Sequence, residues 1–231
     1  MKTIGLIGGM SWESSLEYYR IINETVRDRL GKLYSAKIIM YSLNFAEVEA
    51  LQAEGDWEKA TDMMIDAAQR VQAGGAEVVL ICTNTMHLMA DEVQASIDIP
   101  LIHIADAAAR PVKALGLEVV ALLGTRFTME QEFYRGRLQQ KHGLQVLIPD
   151  ESQREIIHRV IYDELVAGEI KKSSKDQYLS IIEDLVSKGA QGVVLGCTEI
   201  PLLVKQADVK VPVFDTTSIH ATAAVDFALE E

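Results

Sequence analysis

The stretch GAEVVLICT, residues 75–83, decides the fold, because a closely similar stretch, GAQGVVLGC, occurs at residues 189–197. Both copies have a Gly-Ala pair, then a short run rich in Val, Leu and Ile, and then a polar turn. Such apolar runs alternate along the chain with longer amphipathic segments, a pattern typical of βαβ units with a parallel sheet. A repeat of these units predicts two related halves.

The repeat extends beyond these two stretches. Residues 4–8 match 120–124, Tyr19-Arg20 matches Tyr134-Arg135, and Ile99-Pro100 matches Val211-Pro212, at offsets of 112 to 116 residues. We therefore predict an α/β fold of two pseudosymmetric lobes, each with a parallel sheet flanked by helices and with the active site in the cleft between them. The expected division is residues 1–105 plus 209–231 for the first lobe and 106–208 for the second.

The sequence predicts eight strands separated by helical segments. The strands are expected at 3–7, 37–42, 77–82, 101–104, 119–123, 145–148, 192–195 and 211–214, with helices between them such as 14–30 and 56–73. Buried β-rich runs bounded by helices favour parallel pairing in both lobes.

Composition and charge exclude several classes of protein. The chain is 48% hydrophobic and 24% charged, and no apolar run approaches the roughly 18 residues of a membrane span. Gly8, Gly9 and the Trp12-Glu13 pair interrupt the N-terminal apolar run before a signal-peptide core forms, so we expect a cytoplasmic location. The formal net charge of −12 repels nucleic acid and anionic lipid, and we expect neither as a partner.

The motifs of common cofactor sites are missing from the sequence. Only two cysteines occur, Cys82 and Cys197, and no CxxC or Cys/His spacing predicts a metal site. Neither a GxGxxG run nor a P-loop follows the first strand, so we expect no nucleotide cofactor.

Cys197 is the strongest candidate for chemistry. It ends a predicted strand, where ligands of parallel sheets bind, and a helix starting just after it is expected to lower the pKa of the thiol. The ungapped repeat places Thr83, not Cys82, opposite Cys197. Because successive side chains of a strand point to opposite faces, Cys82 is predicted to pack in the core.

Two acid/base groups on either side of a carbon atom are what stereoinversion requires. One removes the α-proton and the other delivers a proton to the opposite face, while N–H groups and hydroxyls stabilise the enediolate-like intermediate. Asn84, Thr85, Thr125 and Thr198 occupy post-strand turns suited to that last task.

Four segments together resemble the aspartate/glutamate racemase family, and within it the aspartate racemase branch. They are IGLIGGMSW at 4–12, CTNTMH at 82–87, Gly124-Thr125 and GCTEI at 196–200. The resemblance covers essentially the whole chain and implies a homodimeric enzyme that acts on an acidic amino acid by two bases, without a metal or pyridoxal phosphate. In the family pattern both bases are cysteines, and the first directly precedes Asn-Thr-x-His; here Thr83 holds that place.

The same resemblance implies a role for each site residue. Cys197 deprotonates the L-enantiomer, while Thr83, a poor base, reprotonates from the opposite face, which biases turnover toward L-to-D conversion. The expected substrate-binding residues are Met10, Gln52, Asn84, Thr85, Thr125, Lys171 and Thr198. Lys171 is expected to hold the side-chain carboxylate, and Gln52 stands in for the family's arginine-bearing loop, which has no equivalent around residues 44–51. Aspartate and glutamate both remain possible substrates.

Two other interpretations stay open. The chain could be a one-cysteine decarboxylase or isomerase of small dicarboxylates, or a non-catalytic amino-acid-binding protein. Exchange of the α-hydrogen of L-aspartate in deuterium oxide separates both from a racemase.

Overall fold

The computed structural model describes residues 1–230, which form two compact units. The first unit comprises Met1–Ile104 with the C-terminal segment from Thr217 onward, and the second comprises Ala105–Thr216. Each contains a parallel sheet with helices around it, as predicted for the two lobes.

The elements alternate between strand and helix along the chain. The strands are β1 (Ile4–Gly8), β2 (Ile38–Ser42), β3 (Val78–Ile81), β4 (Val119–Gly124), β5 (Gln145–Leu147), β6 (Gly192–Gly196) and β7 (Val213–Asp215). The α-helices are α1 (Trp12–Leu30), α2 (Phe45–Glu54), α3 (Trp57–Ala73), α4 (Ala90–Ala95), α5 (Ile104–Ala114), α6 (Arg126–Glu130), α7 (Arg135–His142), α8 (Glu151–Val160), α9 (Lys172–Ser187), α10 (Ile200–Leu203) and α11 (Thr216–Leu229). Short 3-10 helices span Thr85–Met89 and Gln206–Asp208, and one turn of π-helix spans Ile161–Leu165. Within residues 1–230, no helix is both long and apolar enough to cross a membrane.

The strand order repeats between the two sheets. It is β2-β1-β3 in the first and β5-β4-β6-β7 in the second, and all pairs are parallel. The backbone N–H of Val79 donates to the Pro100 carbonyl at 2.9 Å, and that of Val193 donates to the Pro212 carbonyl at the same distance. The internal repeat therefore extends to individual hydrogen bonds.

Alternation of side chains along β3 divides the core of the first unit into two layers. Val78, Leu80 and Cys82 pack on one face with α1 and α11, whereas Val79 and Ile81 pack on the other face with α3. This period of two follows from the pleat of the strand. The second unit has its own core, in which Val193, Leu195 and Cys197 share one cluster.

Three details differ from the prediction. Residues 101–104 are not a strand: only Leu101 bridges to Val79, because α5 already begins at Ile104. The second unit reaches Thr216 rather than 208, because β7 pairs with β6 and belongs to the second sheet.

The tyrosine match of the repeat also shifts by one residue. Tyr18 and Tyr134 are both fully buried, while Tyr19 is 51% exposed. The matching residue of Tyr134 is thus Tyr18, at the same offset of 116 residues that relates β1 to β4.

Candidate functional site

Cys197 follows the last residue of β6 and lies with its thiol buried. Its Sγ donates a hydrogen bond to Glu199 Oε2 at 2.9 Å, and Thr198 Oγ1 donates to the same oxygen at 2.7 Å. Glu199 is itself buried, so one carboxylate oxygen faces two donors in a site with little water. The structure thus supplies the thiol with a proton acceptor.

The pKa of the Cys197 thiol is raised, not lowered. Burial raises this pKa well above its ordinary value, and the Glu199 carboxylate raises it further. The predicted lowering by a helix N-terminus is wrong, because α10 has only four residues and its dipole is small against these two effects. Cys197 is therefore a neutral thiol that must lose its proton before it acts as a base.

Thr83 lies in the turn between β3 and the 3-10 helix, and its side chain is half-buried. Its carbonyl accepts a hydrogen bond from His87 Nδ1 at 2.8 Å, and His87 Nε2 accepts one from the Ile104 backbone N–H at 3.2 Å. These two bonds assign His87 as a neutral imidazole with its proton on Nδ1. The buried His87 thus ties the Thr83 turn to the start of α5.

Thr83 and Cys197 have the same position relative to their strands. Counting in steps of two, Thr83 follows Val79 and Ile81, just as Cys197 follows Val193 and Leu195. Cys82 points the other way into the core against α1, and burial raises the pKa of its thiol far above the ordinary value. A packing role follows for Cys82.

The remaining turn residues are almost all buried. Asn84 and Thr85 are 2% and 6% exposed at the start of the 3-10 helix. Thr125 Oγ1 accepts from the Thr128 backbone N–H at 3.3 Å and so caps α6. Met10 packs in the core of the first unit, near the start of α1.

The two residues expected to bind a side-chain carboxylate have protein partners. Gln52, on α2, donates from Nε2 to the Sδ of Met86 at 3.1 Å, and Met86 is the residue that follows Thr85. Lys171 precedes α9 and forms ion pairs with Glu169 at 3.0 Å and Glu164 at 3.5 Å. The hydrogen bond that Lys171 donates to Glu169 and the charge of Glu164 raise the pKa of Lys171.

The predicted site residues divide between the units. Met10, Gln52, Thr83, Asn84 and Thr85 belong to the first, and Thr125, Lys171, Cys197 and Thr198 belong to the second. Within the second unit, Glu199 joins Thr198 to Cys197 directly, whereas Lys171 is held by other acidic residues.

Sequence reasoning left three contributors without a defined role: Glu199, His87 and Glu164. The spacing of Glu199, two residues after the thiol, and of His87, four after Thr83, offered a weak local signal. Glu164 offered none, because its contact depends on how the π-helical turn is placed. Among residues 1–230, no three His, Cys, Asp or Glu side chains are grouped in a way that could hold a metal ion.

Comparison with known proteins gives consistent matches along the whole chain. A Yersinia pestis structure presented as a candidate Asp/Glu racemase is 54% identical, with a TM-score of 0.95 and complete coverage of both chains. An aspartate racemase homologue from Pyrococcus horikoshii is 39% identical, with a TM-score of 0.87 and complete coverage of both chains. A broad specificity amino-acid racemase of Bacillus subtilis is 22% identical over 96% of each chain. Residues 7–224 match the Asp/Glu/Hydantoin racemase family. The chain therefore belongs to the Asp/Glu/Hydantoin racemase family and is an enzyme of the racemase class.

Proposed function

We propose that the protein racemises L-aspartate, L-glutamate or both, with Cys197 removing the α-proton of the L-enantiomer and Thr83 acting on the opposite face. One observation carries the proposal. Cys197 is a buried thiol at the carboxyl end of a strand, bonded to a carboxylate, and its position in the repeat is that of Thr83 in the other unit. A two-base reaction needs such a matched pair of groups.

Glu199 supplies the first proton transfer in this mechanism. It accepts the proton of the Cys197 thiol along the existing 2.9 Å hydrogen bond, leaving a thiolate and a neutral carboxyl group. The thiolate then takes the α-proton, and the electron pair of the broken C–H bond moves into the substrate carboxylate. Backbone N–H groups and hydroxyls of the turns at Asn84, Thr125 and Thr198 stabilise the resulting enediolate.

Thr83 completes the inversion by donating its hydroxyl proton to the opposite face of the α-carbon. The resulting alkoxide regains a proton from water, and Glu199 releases its proton to water, so that both groups return to their starting states. A threonine hydroxyl is a much poorer base than a thiolate, so the reverse attack on a D-substrate is slow. We therefore propose that kcat is much higher for L-substrates than for D-substrates. An equilibrium constant near one requires equal kcat/KM for both enantiomers, so KM differs in the same proportion as kcat.

The proposed substrate class rests on Lys171 and Gln52, a cation and an amide donor suited to a side-chain carboxylate. The homologue from Pyrococcus horikoshii, an aspartate racemase homologue by description, supports an acidic substrate. As in the family that the sequence resembles, the proposed reaction uses neither pyridoxal phosphate nor a metal. A homodimer in the cytoplasm is the proposed form of the enzyme.

The test follows the optical activity of purified enzyme with each enantiomer of aspartate and glutamate. We expect the circular dichroism of an L-substrate to decay, and its α-hydrogen to exchange in deuterium oxide. Cys197→Ala should abolish both signals, and the matched variant Cys82→Ala should keep them. Carbon dioxide release without exchange would favour the decarboxylase, and binding without exchange would favour the non-catalytic protein.

A further inference from the structure

Two acidic side chains of the second unit form ion pairs with Lys171. Glu169 lies nearer, at 3.0 Å, but is 56% exposed, so water and salt screen its charge. Glu164 lies at 3.5 Å and is only 17% exposed. Its Oε2 also accepts a hydrogen bond from Ser174 Oγ at 2.6 Å, which fixes the carboxylate in place. Glu164 is therefore the less mobile and less screened partner.

The position of Glu164 comes from the π-helical turn Ile161–Leu165. The π-helix is rare in proteins, and single π-helical turns are found frequently at functional sites. This turn packs against α10, the helix that follows Cys197. Besides burial, electrostatic interaction with Cys197 and with Glu164 raises the pKa of the Tyr178 hydroxyl. The turn that carries Glu164 thus adjoins the helix that follows the proposed base, and Lys171 lies 3.5 Å from Glu164.

We propose that Glu164 is a specificity-determining counter-ion that competes with the side-chain carboxylate of an acidic amino acid for Lys171. The inference rests on the proposed function, in which Lys171 receives that carboxylate. The binding free energy that a substrate gains from Lys171 is only the difference between the ion pair that its carboxylate forms and the Glu164–Lys171 pair that it replaces or shares. Glu164 therefore weakens the binding of acidic substrates and takes no part in proton transfer.

The variant Glu164→Gln tests this competition, because it keeps the shape of the side chain and removes its charge. We expect the KM for L-aspartate and L-glutamate to fall about three- to tenfold, with kcat within about twofold of the wild type. The matched control is Asp163→Asn, which removes a charge from the same turn. Asp163 forms no ion pair with Lys171 among residues 1–230, so the KM of the Asp163→Asn variant should equal that of the wild type.

A double-mutant cycle with Lys171→Met makes the test independent of general effects on charge. In the Lys171→Met background, Glu164→Gln should leave KM unchanged, because the contested cation is gone. An unchanged or higher KM for Glu164→Gln in a folded variant would overturn the proposal, as would an equal effect in both backgrounds. Absence of racemisation by the wild type would overturn only the proposed function. The dissociation constant of L-aspartate, measured by calorimetry, would still test whether Glu164→Gln binds more tightly.

Discussion

Position 83 is where the chemistry of this chain departs from the family pattern that its sequence resembles. Because the proposed mechanism assigns the D-side base to Thr83, the substitution Thr83→Cys should add a competent base on that side. We expect kcat for D-aspartate to rise at least about tenfold, with a smaller change in kcat for L-aspartate. Initial rates for both enantiomers, measured by circular dichroism, check this expectation. Equal rates for D- and L-aspartate at saturating concentrations in the wild type would already contradict the proposed bias.

In the proposed mechanism, Glu199 accepts the proton of the neutral Cys197 thiol and so allows it to act as a base. In Glu199→Gln the thiol loses its proton acceptor, so we expect kcat for L-substrate at neutral pH to fall by about 100-fold or more. The loss should shrink as pH rises, since hydroxide then removes the thiol proton. Glu199→Asp keeps a carboxylate and should retain part of the activity at neutral pH. A kcat of Glu199→Gln close to that of the wild type would rule out this proton path.

For single residues, the sequence predicts where a side chain lies along a strand better than it predicts how buried that side chain is or which charges surround it. The repeat identifies Thr83 and Cys197 as matching strand-end residues, and it assigns Cys82 to the core, where the structure has it. The pKa of the Cys197 thiol is predicted in the wrong direction. The prediction considers the helix dipole alone and takes no account of burial or of the short length of α10. Burial and a neighbouring carboxylate are tertiary properties that local sequence does not contain.

Helix α11 is anchored by a histidine that is fully buried. His220 Nε2 donates to the Ile102 carbonyl at 2.7 Å, and Nδ1 accepts from the Tyr18 hydroxyl at 2.8 Å. Burial lowers the pKa of His220 to about 4, against about 6.5 in the unfolded chain. Between these values the unfolded chain binds a proton that the folded protein does not, so stability falls as pH drops from about 6.5 to about 4. The full effect is on the order of 3 kcal/mol.

The variant His220→Gln should reduce this pH dependence, at the cost of some stability at pH 7. Urea unfolding at pH 7, 6, 5 and 4.5 measures the free energy of unfolding of both proteins. Tyr18→Phe is the matched control, because it removes the hydroxyl and keeps the histidine, so its pH dependence should remain. Parallel curves for His220→Gln and the wild type would show that another group carries the effect.

Element prediction succeeded where the hydrophobic pattern was regular. Seven of the predicted strands correspond to β1–β7 within a few residues, since each is an apolar run between turns. The eighth, at 101–104, has the same pattern but shares its last residue with α5, so one bridge replaces a strand. The assignment of β7 to a sheet depends on pairing with β6, which sequence alone does not reveal.

On the scale of the whole molecule, α1 carries an unusual apolar surface. Trp12, Leu16 and Tyr19 are 66%, 54% and 51% exposed at helical spacing, and Tyr34, which lines the same groove as Leu16 and Tyr19, is 57% exposed. Aromatic and large aliphatic side chains grouped in this way are typical of protein interfaces. Acidic and basic residues alternate beside them along the groove of about 440 Å³ that α1 lines, namely Glu17, Arg20, Glu24 and Arg27. Arg20 forms ion pairs with Glu17 and Glu24 within α1, so this row has no net charge and does not repel a second copy of itself around a twofold axis.

We therefore expect this patch of α1 to be the surface through which two copies associate. The double variant Leu16→Glu/Tyr19→Glu places two carboxylates in the patch and should convert the proposed dimer to monomer, because isologous contact repeats every substitution in both copies. Sedimentation velocity over a range of concentrations measures the change. Leu115→Glu, on an exposed leucine of the second unit that lies outside the patch, is the matched control and should leave the wild-type state intact. A double variant that sediments as a dimer like the wild type would show that the two copies associate through another surface. A monomeric wild type would contradict the expectation that this patch is an interface.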